Sequence, residues 1–216
     1  MSSHYTHGQP VFPGVDYNVF YTLNLPVEPW IEGLDLQKDI IDKIDWHKPY
    51  RQWIVRPDEV VSKEYQYFIK DLGLKLMDYQ LMFALQKGHI GYRHRDIHPY
   101  KHWYWDDAYN SAALNYLISP TIGSLDFWDL ERGGDIVDVE TNTQYELGTE
   151  HLDTKIIASW TGQDNRAPVL IRTEAPHQAN NLNGDGPRIA FTLRFELNPI
   201  WWMVRAAFMP YVIQGY

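Results

Sequence analysis

Residues 77–96 read Met77-Asp-Tyr-Gln-Leu-Met-Phe-Ala-Leu-Gln-Lys-Gly-His-Ile-Gly-Tyr-Arg-His-Arg-Asp96, and this stretch decides the fold class. Tyr79 to Gln86 is rich in apolar and aromatic residues and stops at Lys87-Gly88, the punctuation of a strand closed by a turn. Ile90 to Asp96 reads as the next strand. The same grammar continues through Ala112 to Ser119, Leu125 to Leu130, Lys155 to Trp160, Val169 to Thr173 and Arg188 to Glu196. Short β-rich runs between Gly, Pro, Asn and Asp clusters describe a sandwich or barrel, and a jelly roll is the simplest architecture with that many strands. The expected fold is mainly β with supporting helices, a double-stranded β-helix of the cupin-like type.

Outward from this core, the N-terminal third mixes extended pieces (Tyr17 to Leu25) with helical ones. Pro57-Asp58-Glu59 suits a helix start, and Val60, Val61, Tyr65, Phe68 and Ile69 recur at helical spacing, so one helix is expected over Pro57 to Leu72, backing a sheet. The tail from Asn198 to Phe208 reads as a short apolar helix, either a lid on the core or a contact in a homodimer. No repeat or linker divides the chain. One domain over 1–216 is expected: support over about 1–76, the jelly-roll core over 77–196 and the tail over 197–216.

Composition narrows the chemistry. The chain has 216 residues, 44% of them hydrophobic, with 9 Trp and 15 Tyr, enough for a real core and aromatic-lined cavities. A formal charge of −9 argues against duplex nucleic acid, whose binding relies on lysine and arginine displacing counterions. With no cysteine there is no thiolate ligand, disulfide or cysteine nucleophile, so any metal must be held by nitrogen and oxygen. The start Met1-Ser-Ser-His-Tyr-Thr-His-Gly8 lacks the basic and apolar runs of a signal peptide, and no apolar stretch is long enough to span a bilayer; a cytoplasmic location is expected.

His94-Arg95-Asp96 offers two metal ligands from one strand, because side chains two apart share a face while Arg95 points away. A second copy, His151-Leu152-Asp153, occurs later. Either is by itself an ordinary polar strand end. Context separates them: between Asp96 and His177 there is room for four strands of about six residues with their loops, whereas Asp153 stands too close to His177 for such a return. His151 to Asp153 is therefore read as a surface turn. His177 lies in Ala175-Pro-His-Gln178, just after the apolar strand Val169-Leu-Ile171, where a proline frees the backbone and presents the next side chain at the rim. Two imidazoles and one carboxylate are the facial set that holds Fe(II) and leaves positions open.

Arg188-Ile-Ala-Phe-Thr-Leu-Arg-Phe195 alternates strictly. Ile189, Phe191, Leu193 and Phe195 fall on one face, Arg188, Ala190, Thr192 and Arg194 on the other. An arginine fork on a cavity-facing side matches a carboxylate. A surface salt bridge is the plainer expectation for Arg194.

In this order, Met82 to Asp96, Leu114-Asn-Tyr-Leu117, Gly123-Ser-Leu-Asp-Phe-Trp128, Pro176-His-Gln178 and Arg188-Ile-Ala-Phe-Thr192 resemble the Fe(II)/2-oxoglutarate-dependent oxygenases, with the prolyl-hydroxylase-like branch the nearest pattern. The resemblance covers roughly residues 77 to 196. It implies His94, Asp96 and His177 as iron ligands, Arg188 as the anchor of the distal 2-oxoglutarate carboxylate and Tyr116 as a hydroxyl donor to that carboxylate. It also implies consumption of O2 and 2-oxoglutarate, release of succinate and CO2, hydroxylation of a peptide side chain or a small molecule, and ascorbate as the reductant in vitro. Two departures stand out: Ala190 replaces a commoner serine, and the stretch from Ile97 to Asp107, with Trp103, Tyr104 and Trp105, is long for the family. That stretch is expected to close over the iron and choose the substrate. Other readings of the same residues are a cupin-like metal enzyme without 2-oxoglutarate, such as an isomerase, and a jelly-roll binding protein without metal.

Overall fold

The computed structural model of the protein describes residues 18–96, 112–119, 123–129, 136–138, 144–147, 155–161, 167–197 and 199–215. The N-terminal part gives β1 (Phe20–Leu23), β2 (Tyr50–Val55), α1 (Pro57–Val60) and α2 (Lys63–Asp71). There follow β3 (Gln80–Leu85), β4 (His94–Asp96), β5 (Ala113–Leu117), β6 (Ser124–Trp128), β7 (Ile136–Asp138) and β8 (Gln144–Leu147). The chain continues through β9 (Ile156–Trp160), β10 (Val169–Ile171), β11 (His177–Asn180) and β12 (Arg188–Arg194), then α3 (Trp201–Phe208) and β13 (Val212–Gly215).

These strands form two antiparallel sheets. One has the order β13-β1-β10-β5-β12-β3-β2, the other β7-β8-β4-β11-β6-β9. From β3 to β6 and again from β9 to β12 the chain passes from one sheet to the other at every step, while β6 to β9 stay in the second sheet; the last core strand, β12, returns beside the first, β3, and β11 returns beside β4. That winding is a jelly roll, the double-stranded β-helix of cupin-like folds, as the spacing of strand signals predicts. β1, β2 and β13 extend the first sheet, so the N-terminal segment and the tail share a sheet with the core.

The seven-stranded sheet is covered on both faces, which explains why every residue of β12 is buried. On its outer face Leu114, Tyr116, Ile189, Phe191 and Leu193 pack with Tyr65 and Ile69 of α2 and with Trp201, Val204 and Phe208 of α3. Between the sheets lie Phe20, Ala113, Leu117, Leu125, Phe127, Val169 and Ile171. Each fully buried Phe or Leu here contributes about 1.5–3 kcal/mol. The turn after β3 needs its glycine: Gly88 has φ +80°, a left-handed conformation that costs a side chain dearly.

Two expectations change, and the tail takes one of its two expected roles. The single helix over Pro57 to Leu72 is two short ones, because Val61 pairs as a β-bridge with Trp30 and Ser62 leaves the helix to cap α2, its Oγ accepting from the Tyr65 amide at 3.1 Å. His177 does not trail the Val169 strand but opens β11 in the other sheet. The tail is a lid: α3 buries its Trp201 face in the core and β13 pairs with β1. No helix among the described residues is long and apolar enough to cross a membrane.

Candidate metal centre

β4 is too short to bury much, yet its two ends fix the site. His94 and Asp96 project from the same face of the strand, and the antiparallel register sets His177 of β11 directly opposite His94. Asp96 Oδ1 lies 3.3 Å from His94 Nε2 and 3.7 Å from His177 Nε2. One ligand atom from each of the three falls within 4.8 Å of the others, the one such group among the described residues. Donors at right angles around a divalent ion, with bonds of about 2.1 Å, sit about 3 Å apart. The triad is near that geometry.

The remaining ring nitrogens are engaged. His94 Nδ1 is 2.8 Å from the Tyr92 carbonyl and His177 Nδ1 is 2.9 Å from the Ala175 carbonyl. A carbonyl only accepts, so each Nδ1 donates to it and each Nε2 is left facing Asp96 Oδ1. Burial, reinforced by the neighbouring His94, pushes His177 down to about 4, which keeps it neutral and able to ligate at pH 7. Burial by itself would raise the Asp96 carboxyl, but the Arg194 guanidinium and the two imidazoles override it and hold the group well below the usual carboxylate range.

Arg194 is the residue whose expected place changes most. Instead of a surface pair it is buried, and its Nη2 donates to Asp96 Oδ2 at 2.5 Å. This charge-assisted bond occupies one carboxylate oxygen and leaves Oδ1 facing the imidazoles. The alternation of β12 had already put Arg194 on the cavity face; what the sequence lacks is any sign that Asp96 waits there.

The triad opens into a cavity of about 60 Å³ lined on the β12 side by Arg188, Ala190, Thr192 and Arg194 and on the β5 side by Asn115. Sites for drug-sized ligands run to about 300–1,000 Å³, so this one suits a slender molecule. Arg188 is buried, and its Nε and Nη2 have no hydrogen-bond partner among the described residues. Burial lowers it to about 10, opposed by the charge of Asp126, so it remains a cation at neutral pH. Asn115 Oδ1 and Thr192 Oγ1, from directly opposed positions of β5 and β12, are likewise buried without partners. Larger grooves exist, such as one of about 1010 Å³ between Arg56 and Asp78, but it is an open surface furrow with no such ligand group.

Tyr116 is a correction. It lies on the opposite face of β5 from Asn115, its hydroxyl 2.5 Å from that of Tyr65 and its ring edge-on to Trp30 at 5.5 Å. Period-2 alternation forces this: if Ala113, Asn115 and Leu117 face between the sheets, Tyr116 faces the helices. Asn115 is the residue that sequence reasoning missed, and the same alternation was the signal for it. His151 to Asp153 and the stretch from Ile97 to Asp107 lie outside the described residues.

No protein-family model and no curated protein matches the sequence. Among solved structures, vicilin from Corylus avellana (hazelnut) is similar at 9% identity and a TM-score of 0.32 over 69% of this chain. The chain spans 30% of that vicilin's length.

Proposed function

We propose that the protein is an Fe(II)- and 2-oxoglutarate-dependent dioxygenase that hydroxylates a small molecule or a peptide side chain. One observation carries this reading: a buried arginine with unpartnered donors, Arg188, faces the same narrow cavity as a two-histidine, one-carboxylate cluster. A buried cation without partners is costly unless a ligand completes it. A carboxylate is the group that fits a guanidinium fork, and a metal is what fits two imidazole Nε2 atoms converging on one carboxylate oxygen.

His94 Nε2, His177 Nε2 and Asp96 Oδ1 would hold the metal, and Arg188 the distal carboxylate of the co-substrate. Bound there, iron and 2-oxoglutarate supply the oxidising power: substrate, O2 and 2-oxoglutarate become hydroxylated product, succinate and CO2. The chain's own work is placement. Arg194 orients Asp96, the Tyr92 and Ala175 carbonyls fix the imidazole rings, and Ala190 leaves space beside Arg188. His94 is the more exposed of the paired ligands, at 13% of its side chain against 4% at Asp96, and Tyr92 beside it is exposed, so substrate would arrive past His94 and Tyr92.

The test is anaerobic addition of Fe(II) and then 2-oxoglutarate to purified protein, followed by a substrate screen in air with ascorbate. A visible charge-transfer band on adding 2-oxoglutarate, and succinate formation lost in Arg188→Ala, support the reading. Metal-dependent turnover of a substrate with no succinate would replace it with a metal enzyme that does not use 2-oxoglutarate.

A further inference from the structure

The Arg188 side chain is long and flexible, and its Nε and Nη2 are held by no hydrogen bond among the described residues, yet it is buried in a defined place. Packing of the stem therefore helps to set its position. The tightest approach is at Gly123, just before β6. A Cβ there would sit 2.9 Å from Arg188 Cδ, 2.9 Å from Asn181 Oδ1 and 2.7 Å from the Asn180 carbonyl oxygen. All three separations are closer than real side chains tolerate, so the stem of Arg188 runs across the bare backbone of Gly123.

Asn181 stands beside the same point of Gly123 as the Arg188 stem. It is fully buried, and its Nδ2 donates to the Leu85 carbonyl at 3.1 Å and to the Gly186 carbonyl at 2.9 Å. Its main chain is tied too: the amide donates to the His89 carbonyl and the carbonyl accepts from Gly88, both at 2.9 Å. These bonds fasten the turn between β11 and β12 to the end of β3, where Leu85 pairs with Arg188. Asn180 is anchored in turn by Nδ2 donating to Asp126 Oδ2 at 3.0 Å, while Asp126 Oδ1 accepts from Ser124 and Ser159. These neighbours of Gly123 therefore cannot retreat cheaply.

We propose that Gly123 and Asn181 are positioning residues that together form the cradle fixing the Arg188 guanidinium in the cavity. The proposal rests on the reading of Arg188 as the carboxylate anchor and names what sets its aim. Neither residue touches the cavity's contents, so each acts only through Arg188.

The experiment uses the full-length, Mn(II)-loaded protein and titrates 2-oxoglutarate calorimetrically into Gly123→Ala and Asn181→Ala, each alone and combined with Arg188→Met. Gly123→Ala is expected to weaken binding by roughly tenfold or more and Asn181→Ala by roughly threefold, with less than about twofold further loss from either once Arg188 is gone. Mn(II) affinity stays at the wild-type value. In parallel, the guanidinium N–H signal of Arg188 in the metal-free protein, identified by its loss in Arg188→Met, is expected to move in both single variants. Equal weakening in both backgrounds, no weakening in Gly123→Ala, or an unmoved Arg188 signal overturns the proposal. If Gly123→Ala does not fold, Asn181→Ala decides by the same two readouts. If the wild type fails to bind 2-oxoglutarate at all, the functional reading falls and the Arg188 signal alone judges the cradle.

Discussion

Replacing Arg188 by Met separates binding from stability, because the structure gives the two effects opposite signs. Without a ligand, the wild-type guanidinium is a buried cation with Nε and Nη2 unpartnered among the described residues. Each unsatisfied buried donor costs about 1–3 kcal/mol, whereas an unbranched Met keeps most of the stem's packing across Gly123. A net gain of about 2 kcal/mol is expected in the ligand-free variant. For a chain of this size that raises Tm by roughly 4–8 °C. The same change removes a charge-assisted contact of about 1.5–3 kcal/mol, so 2-oxoglutarate affinity falls by roughly 10- to 150-fold. Thermal melts of Mn(II)-loaded protein with and without 2-oxoglutarate read both effects. Wild type gains about 2.7 kcal/mol at a ligand concentration 100 times its Kd, and Arg188→Met, at that concentration, gains only about 0.3–1.4 kcal/mol. A variant that is less stable without ligand, yet keeps its 2-oxoglutarate shift, refutes the reasoning.

His94→Ala, Asp96→Ala and His177→Ala are each expected to abolish Mn(II) binding in an equilibrium titration, while His151→Ala, in the second His-x-Asp copy, leaves it unchanged. Arg194→Met strips the buried Asp96 carboxylate of its guanidinium and should cost about 3–5 kcal/mol in chemical denaturation of the metal-free protein. Added Mn(II) recovers part of that loss by replacing the missing positive charge; an unchanged stability means the Arg194 to Asp96 bond is not structural. Tyr116→Phe is expected to leave 2-oxoglutarate affinity within about twofold of wild type and to lower stability by about 1 kcal/mol through the lost Tyr65 contact. A large affinity loss in that variant would return Tyr116 to the cavity.

The parts of the site legible in the sequence are those governed by a single strand. Two-residue periodicity fixed which side chains of Arg188 to Phe195 share a face, and it put His94 and Asp96 together with Arg95 excluded. The same rule, carried along β5, separates Asn115 from Tyr116, which only the family resemblance had set at the carboxylate. The strand from Gln80 to Leu85 stood out by its continuous apolar run and that from Arg188 to Arg194 by its strict alternation. β2 and β13 gave weaker signals, since edge strands alternate with polar residues and resemble loops.

By itself, then, the sequence determined local things: the main core strands, the facing of side chains along each, the absence of sulfur ligands, and His94, Asp96, His177 and Arg188 as candidates. Only the tertiary structure decided what those faces meet. That His177 stands across from His94 depends on β11 returning beside β4 after the chain has wound through both sheets. That Arg194 meets Asp96 while Arg188 Nε and Nη2 meet no partner among the described residues depends on which strand ends converge between the sheets. Identical arginines six residues apart on one strand carry the same local signal. Their different partners come from contacts between residues distant in sequence, which no local periodicity encodes.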